Sequence, residues 1–330
     1  MLLTDFSFLI DPIVILLFAL LIDAVLGEVP DRMHPTVWMG KMISFLKPRL
    51  RNTNPAKERL NGVLLAILVI ILFSVPAYFI ILLTRHFLGW LPYVIVASVL
   101  FKMTFARKCM SQYTMPIARA LEKSDLNEAK RRLPYIVRRD PSTLSESNVI
   151  SAAVESIAES TTDGVTSAFF YFALFGVPGA FAYRVVNTLD SMVGYKDEAH
   201  VNLGWFSAHL DTLANYIPAR LTAVLMVFSS MALGENWRGS WRIMLRDRRN
   251  LSSINAGWTI AAMAGALGTQ LEKPTFYRLG DGDGLTPAHI RRALRVMNLT
   301  VILFGVVVVI PVLFFEGLVL STLGIGWLFS

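Results

Sequence analysis

GVLLAILVIILFSVPAYFIILLT, running from Gly62 to Thr84, decides the fold of this chain. It holds no charged residue, and proline enters once, at Pro76. About 20 apolar residues in helical form cross a hydrocarbon core of ~30 Å, so this stretch reads as a membrane span. Working outward, a first span reads from Phe6 to Leu26, with Asp11 and Asp23 within it or at its end. A third runs from Leu88 to Phe105, separated from the second by the short turn Arg85-His86. The connecting loop Glu28–Leu60 is basic, with seven Lys/Arg between Arg32 and Arg59. Loops rich in Lys and Arg stay in the cytoplasm, which puts the N-terminus outside and this loop inside. The first span has no basic segment before it and no small-residue cleavage site after Leu20, unlike a secretory signal.

The composition agrees. The chain has 330 residues, of which 54% are hydrophobic and 17% charged, against about 25% charged in a soluble domain. The net charge of +7 is concentrated: Arg107–Arg139 carries nine Lys/Arg and Arg238–Arg295 carries ten. Such clusters anchor against anionic lipid. Without interleaved aromatics or a binding module they exclude a nucleic-acid partner. Cys109 is the single cysteine, so no intrachain disulfide forms, and five scattered histidines (His34, His86, His200, His209, His289) give no paired zinc motif.

After the third span the chain turns polar. Arg107–Arg139 reads as one or two cytoplasmic basic helices. Thr143-x-x-Glu146 is a capping box after Asp140-Pro141, opening a helix to Thr162. The apolar runs Val165–Tyr183 and Ile217–Leu233 are interrupted by Gly176, Pro178, Gly179, Pro218 and Arg220, a pattern of discontinuous or re-entrant helices lining a cavity. Asn255–Leu267 is rich in small residues suited to close helix packing. The tail Met297–Phe329 is apolar, broken at Glu316-Gly317, and forms one tilted span or a hairpin. Gly280-Asp281-Gly282-Asp283-Gly284 reads as a flexible turn.

Three constellations carry chemistry. On the helix over 144–162, Ser147, Ser151, Glu155, Glu159 and Asp163 follow at i, i+4 steps on one stripe, opposite Ile150, Ala153 and Ile157. Carboxylates in line repel, so they call either for a cation such as Mg²⁺, which takes one or two carboxylates plus phosphate oxygens, or for a solvated face paired with Arg138 and Arg139. The second constellation, Tyr183 to Lys196, holds Arg184, Asn187, Asp190 and Lys196 directly after an apolar run, where polar groups are costly and functional. Arg184 and Lys196 are candidate phosphate clamps and Asp190 a candidate metal ligand; an extramembrane turn is the plain alternative. In the third, Asp211, Asn215 and Arg220 approach one helical face before Pro218, and Arg220 needs an anionic partner, Asp211 or a ligand phosphate. Asp23-x-x-x-Gly27-Glu28-x-Pro30-x-x-x-His34-Pro35 closes the first span with turn residues and a histidine.

Taken in order, Glu155-Ser156-x-Ala158-Glu159, Asp163-Gly164, Asn187-Thr188-Leu189-Asp190-Ser191-Met192-Val193-Gly194-Tyr195 and Asn215-Tyr216-Ile217-Pro218-Ala219-Arg220 resemble the adenosylcobinamide-phosphate synthase family of cobalamin biosynthesis, the CobD/CbiB membrane proteins. The resemblance extends from Asp23–Gly40 to the Asn255-Ala256-Gly257-Trp258 and Ala261–Gly268 block. The chain departs from the family's pattern at Ser160, where Asn is usual, and at Asp211-Thr212, where Asp-Asp is common. Residues 160 and 212 are therefore not counted as functional.

The resemblance implies an ATP-dependent amide ligation joining adenosylcobyric acid to aminopropanol or its phosphate. An acyl phosphate intermediate and Mg²⁺ across the nucleotide phosphates suit such chemistry. On this reading Glu155, Glu159, Asp163 and Asp190 are the metal ligands, with Glu155, Glu159 and Asp190 catalytic. Arg184, Lys196 and Arg220 hold phosphate, Asn187, Asp211 and Asn215 bind substrate, and His34 is a base on the attacking amine. If the three constellations serve one reaction they share one cavity. A secondary transporter with intramembrane carboxylates is the alternative, although no repeated half is found; a membrane sensor or scaffold is a further one.

The expected architecture is all-α: a polytopic helical membrane protein with about five to eight membrane segments, some broken or re-entrant, plus cytoplasmic helices. It forms a single membrane domain over 1–330. Three spans occupy 1–105 with a basic loop at 28–60, a basic cytoplasmic segment 106–144, the polar active-site stretch 145–220, and C-terminal spans 221–330 with a basic loop at 234–296. The expected setting is multi-pass in the cell membrane, with the site facing the cytoplasm. The expected partners are lipid, the small-molecule substrates, and either a second copy or other membrane enzymes of the same pathway.

Overall fold

The computed structural model describes residues 7–282 and 284–322. Phe6 of the first expected span, Asp283 of the glycine-rich turn and 323–329 of the last expected span lie outside the described residues. The helices, in chain order, are α1 Ser7–Leu26, α2 Pro35–Leu46, α3 Pro55–Leu88, α4 Trp90–Lys102, α5 Arg107–Glu122, α6 Leu126–Arg132, α7 Glu146–Ser160 and α8 Ser167–Val193. They continue with α9 Trp205–Ala214, α10 Tyr216–Ala232, α11 Trp237–Asp247, α12 Ala256–Leu267, α13 Pro287–Phe304 and α14 Ile310–Thr322. A two-stranded antiparallel hairpin, β1 Leu271–Lys273 and β2 Tyr277–Leu279, pairs Leu271 with Leu279.

Among the described residues four helical runs are long and apolar enough to cross a membrane: Pro55–Leu88, Trp90–Glu122, Glu146–Val193 and Pro287–Val319; Tyr216–Ala232 and Ala256–Leu267 are shorter apolar helices. The architecture is that of an all-α polytopic membrane protein. The chain divides into two compact units, one of Met1–Ala106, Ser167–Ala214 and Val306–Ser330, the other of Arg107–Thr166 and Asn215–Gly305.

In the first unit, α3 begins before its apolar run because Asn54 caps it, its side chain accepting the Ala56 and Lys57 N–H groups, with Pro55 in the first turn. Leu64, Ile67, Leu68, Ile71 and Leu72 point outward, a surface that belongs against lipid rather than water. The inner face packs on α8, and nearby Phe101 stacks on Phe172 at 4.0 Å. Asp11 in α1 is buried but not alone: Arg85 donates to it at 2.5 Å and Trp90 at 2.7 Å, as a carboxylate at membrane depth requires.

Helix α8 is broken, as expected, where Gly176 takes φ +63° and Pro178 follows. Tyr171 and Tyr183 stack across the break at 5.4 Å. Beyond it the helix runs to Val193, so the Tyr183–Lys196 constellation is mostly helical rather than a turn. Arg184, Asn187 and Thr188 stand three and four residues apart, and their mutual bonds lie along the helix. A second correction falls at Pro218. The break comes three residues earlier, at Asn215, and Pro218 sits in the first turn of α10, where a missing N–H costs nothing.

In the second unit, α5 and α6 are the expected basic helices. Helix α7 is capped by Ser145, whose hydroxyl accepts the Asn148 N–H, and not by Thr143. Every residue from Val149 to Ala158 is buried, so the amphipathic wheel expected for this helix does not hold. After Ser160 the backbone widens into a π-helix, Thr161–Thr166, which shifts the phase of the stripe before Asp163. Helix α12 is buried at every residue except Trp258 and packs on α11. The glycine-rich turn, expected to be flexible, is anchored at its start: the Gly280 N–H donates to Asp247 at 2.8 Å, and Asp281 pairs with Arg242 and Arg246. Helix α13 starts at Pro287, ten residues before the expected span, on a capping box of Thr286 and His289. Glu316-Gly317 lies inside α14 and does not break it.

Candidate functional site

In the first unit the structure gathers three of the candidate residues. Arg184 is buried; its Nε donates to the Thr104 carbonyl at 2.5 Å and its Nη1 to Asn187 Oδ1 at 3.0 Å. Asn187 Nδ2 in turn donates to Asp211 Oδ1 at 3.5 Å, from α8 to α9. The guanidinium is thereby held in one orientation, and the carboxamide is set with its oxygen toward the cation and its amide toward the acid. Asp190, half-buried, follows on the same helix. A methyl group at Gly194 would fall 2.1 Å from Asp190 Oδ1 and 2.7 Å from its carbonyl oxygen, so glycine is required where the chain leaves α8 under this carboxylate. Lys196 is exposed past the helix end, and among the described residues it makes no hydrogen bond or ion pair.

The turn after α1 forms a second polar cluster in this unit. Lys102, fully buried at the end of α4, donates to Glu28 at 2.7 Å and lies 3.9 Å from Asp23. His34 meets the same Glu28 oxygen at 3.0 Å through Nε2, while Nδ1 accepts the Thr36 N–H and caps α2. Both ring nitrogens are thus engaged: His34, expected as a base on the attacking amine, is here a cap on α2 and a partner of Glu28. Burial pushes the Glu28 carboxyl up, but the His34 and Lys102 donors outweigh it and hold it below its ordinary value. Sequence reading passed over Lys102, although a lysine closing an apolar run was a signal.

In the second unit Glu155 is buried and its oxygens are occupied. Ser151 donates to Oε1 at 2.6 Å; Tyr277 at 2.7 Å and Arg139 at 3.1 Å donate to Oε2. Ser151 also accepts the Glu272 N–H at 2.8 Å, tying α7 to the hairpin. Burial and the Glu155 charge push the Tyr277 phenol far above its ordinary range. Three of about four acceptor positions on this carboxylate are filled, and a guanidinium sits beside it. Glu155 is therefore an internal counter-charge, better suited to positioning than to metal ligation. Glu159, one turn on, is exposed, and Asp163 is half-buried in the π segment. Tyr277 had no sequence signal, since it comes from a strand of three residues over a hundred positions away.

Among the described residues no three His, Cys, Asp or Glu side chains gather into a metal cage. Mg²⁺ needs no such cage, since it keeps water and substrate phosphate in most of its positions and takes one or two carboxylates, a demand that Glu159 or Asp163 would meet. Asn215 is buried at the start of α10, and Arg220 lies half-buried one turn further.

The model of the CobD/Cbib protein family matches residues 16–297. This chain belongs to the CobD/Cbib family. A protein of Methanothermobacter thermautotrophicus bearing the name "Probable cobalamin biosynthesis protein CobD" is 44% identical over 303 residues, 90% of this chain and 98% of its own length. The "Cobalamin biosynthesis protein CobD" of Dehalococcoides mccartyi is 41% identical over 293 residues, 87% of this chain and 92% of its own. A Thermoplasma volcanium protein, also a "Probable cobalamin biosynthesis protein CobD", is 40% identical over 303 residues, 91% and 97% of the two lengths. No solved structure matches the chain. The family match takes in every candidate residue of this CobD/Cbib chain, from His34 to Arg220.

Proposed function

We propose that this chain acts in cobalamin biosynthesis as an ATP-dependent acid–amine ligase, joining adenosylcobyric acid to aminopropanol or its phosphate. The observation that carries the reading is the buried Arg184, fixed by Thr104 and Asn187 and continued to Asp211, in a member of the CobD/Cbib family. A buried guanidinium held in a fixed orientation is suited to recognising an anionic ligand through its charge and its planar fork of donors.

In this mechanism a corrinoid carboxylate oxygen attacks the terminal phosphorus of ATP, the bridging P–O bond breaks, and ADP leaves. The amine nitrogen then attacks the acyl carbon of the acyl phosphate. The C–O bond to phosphate breaks, and inorganic phosphate leaves carrying the proton that the nitrogen gives up as the amide forms. Arg184 steadies negative charge on a phosphoryl oxygen, and Asn187 and Asp211 keep it oriented. In the second unit Arg220 is a separate candidate cation for phosphate. Glu159 and Asp163 in the second unit are carboxylates we assign to Mg²⁺, which when bound would neutralise phosphate charge; Asp190 is a separate candidate in the first unit. Glu155 positions α7 against the hairpin. Lys196, on the exposed segment after α8, is available to meet a phosphate during substrate entry.

The test is turnover of the purified protein in lipid with both organic substrates, ATP and Mg²⁺. Amide product with ADP release supports the ligase. Substrate uptake into vesicles without ATP and without any product would support the transporter alternative instead.

A further inference from the structure

Most arginines packed into the second unit meet a carboxylate: Arg139 with Glu155, Arg246 with Asp247, Arg291 with Glu122 and Arg292 with Glu235. Arg220 and Arg248 do not. The Arg220 guanidinium stands 3.4 Å over the Tyr216 ring and 5.1 Å from the Trp258 ring, and that of Arg248 lies 4.7 Å from the same Trp258 ring. Arg220 donates to the Tyr216 carbonyl and, at 3.0 Å, to Asn255 Oδ1; Arg248 donates to the Leu245 carbonyl. All of these acceptors are neutral, and among the described residues neither arginine has an acidic partner.

Two half-buried guanidiniums drawn to one indole repel each other, and the repulsion grows as water is excluded. Ring faces attract each cation separately but do nothing to offset that repulsion. The backbone holds the arrangement in place: a methyl group at Gly257 would fall 2.1 Å from the Arg248 carbonyl oxygen, so Arg248 is pressed onto the first turn of α12. The positive end of that helix adds to the same local potential. An anion with several acceptor oxygens would offset that repulsion and accept from both guanidiniums.

We propose that Arg220 and Arg248, gathered on Trp258, form a binding site for a phosphate group. The inference rests on the ligase reading only for which soluble substrate would bring that phosphate. A lipid headgroup phosphate offers the same chemistry.

The test uses the full chain in nanodiscs of phosphatidylcholine, titrated with inorganic phosphate and then pyrophosphate. The readout is the Trp258 fluorescence, obtained as the difference between the wild type and Trp258→Phe. The expected result is a saturable change, with apparent affinity weakened about tenfold to a hundredfold in Arg248→Gln and in Arg220→Gln, as loss of one charge-assisted bond predicts. A parallel set of discs contains phosphatidylglycerol. A response to that lipid alone, lost in Arg248→Gln, supports the phosphate site with lipid as its source. No response to either source, or an equal response in Arg248→Gln, overturns the proposal. If Arg248→Gln does not fold, Arg248→Lys carries the test: it keeps charge but loses the planar fork, and unchanged affinity there overturns the proposal too. Binding is read without turnover, so phosphate binding without amide formation sinks only the ligase, and amide formation without this signal sinks only the site.

Discussion

Replacing Glu155 by glutamine separates a positioning carboxylate from a metal ligand. The carboxylate is buried, with Ser151 at 2.6 Å, Tyr277 at 2.7 Å and Arg139 at 3.1 Å. Glutamine removes the charge that faces Arg139, and an amide nitrogen in the place of Oε2 is a donor that accepts from neither Tyr277 nor Arg139. Arg139 has little slack, since its Nη1 is buried and already makes no hydrogen bond. Removing one partner of a buried ion pair costs about 3–5 kcal/mol, which in a unit of this size lowers Tm by roughly 10 °C. Tyr277→Phe deletes one bond to a charged acceptor and costs about 1.5–3 kcal/mol. The two changes touch the same oxygen, so the double variant departs from additivity by about 0.5–3 kcal/mol. Thermal unfolding of the purified protein in lipid, followed by tryptophan fluorescence, measures all three. The reasoning is refuted if Glu155→Gln melts within a degree or two of the wild type and yet loses ligase turnover. That outcome would return Glu155 to the metal or substrate.

Arg184→Lys keeps the charge, but a single ammonium cannot serve both the Thr104 carbonyl and Asn187; turnover should fall about tenfold to a hundredfold, measured alongside the unfolding midpoint. Gly194→Ala forces the Asp190 carboxylate and carbonyl away from the end of α8; ligase turnover should drop, whereas Gly89→Ala, in open space but strained by its φ of +81°, costs stability and leaves turnover unchanged. Glu28 supplies the pH prediction. Its folded value lies below the ordinary 4.5, so its contribution to stability is present above that pH and is lost as pH falls through the lowered value. Melting curves between about pH 6 and pH 3 should show a shallower acid decline in Glu28→Gln than in the wild type; parallel curves would contradict it.

The membrane architecture was legible because the Gly62–Thr84 run is longer than any soluble core helix needs, and the break in α8 because Gly176 and Pro178 stand together. Helix starts were less so: α3 and α13 begin in polar sequence, where Asn54 and the Thr286–His289 box cap them without any apolar signal. Pro218 misled because proline in a first turn and proline as a breaker look alike in sequence. At the site, the residue types from Glu155 to Arg220 could be named, and Arg184 with Asn187 follows from helical spacing. The environment of Glu155 could not be read, since Tyr277 reaches it from a hairpin too short for strand periodicity. The wheel placed Glu155 and Glu159 on one stripe, yet the former is buried and the latter exposed. Packing from outside α7 made that difference.

The most direct measurement is reconstitution of the purified chain in lipid with adenosylcobyric acid, aminopropanol phosphate, ATP and Mg²⁺, following corrinoid product and ADP together. The account predicts one amide formed per ADP released, with both signals falling in parallel in Asp190→Asn and Arg184→Lys. Corrinoid product formed without ATP, or ATP consumed without any corrinoid product, would contradict it.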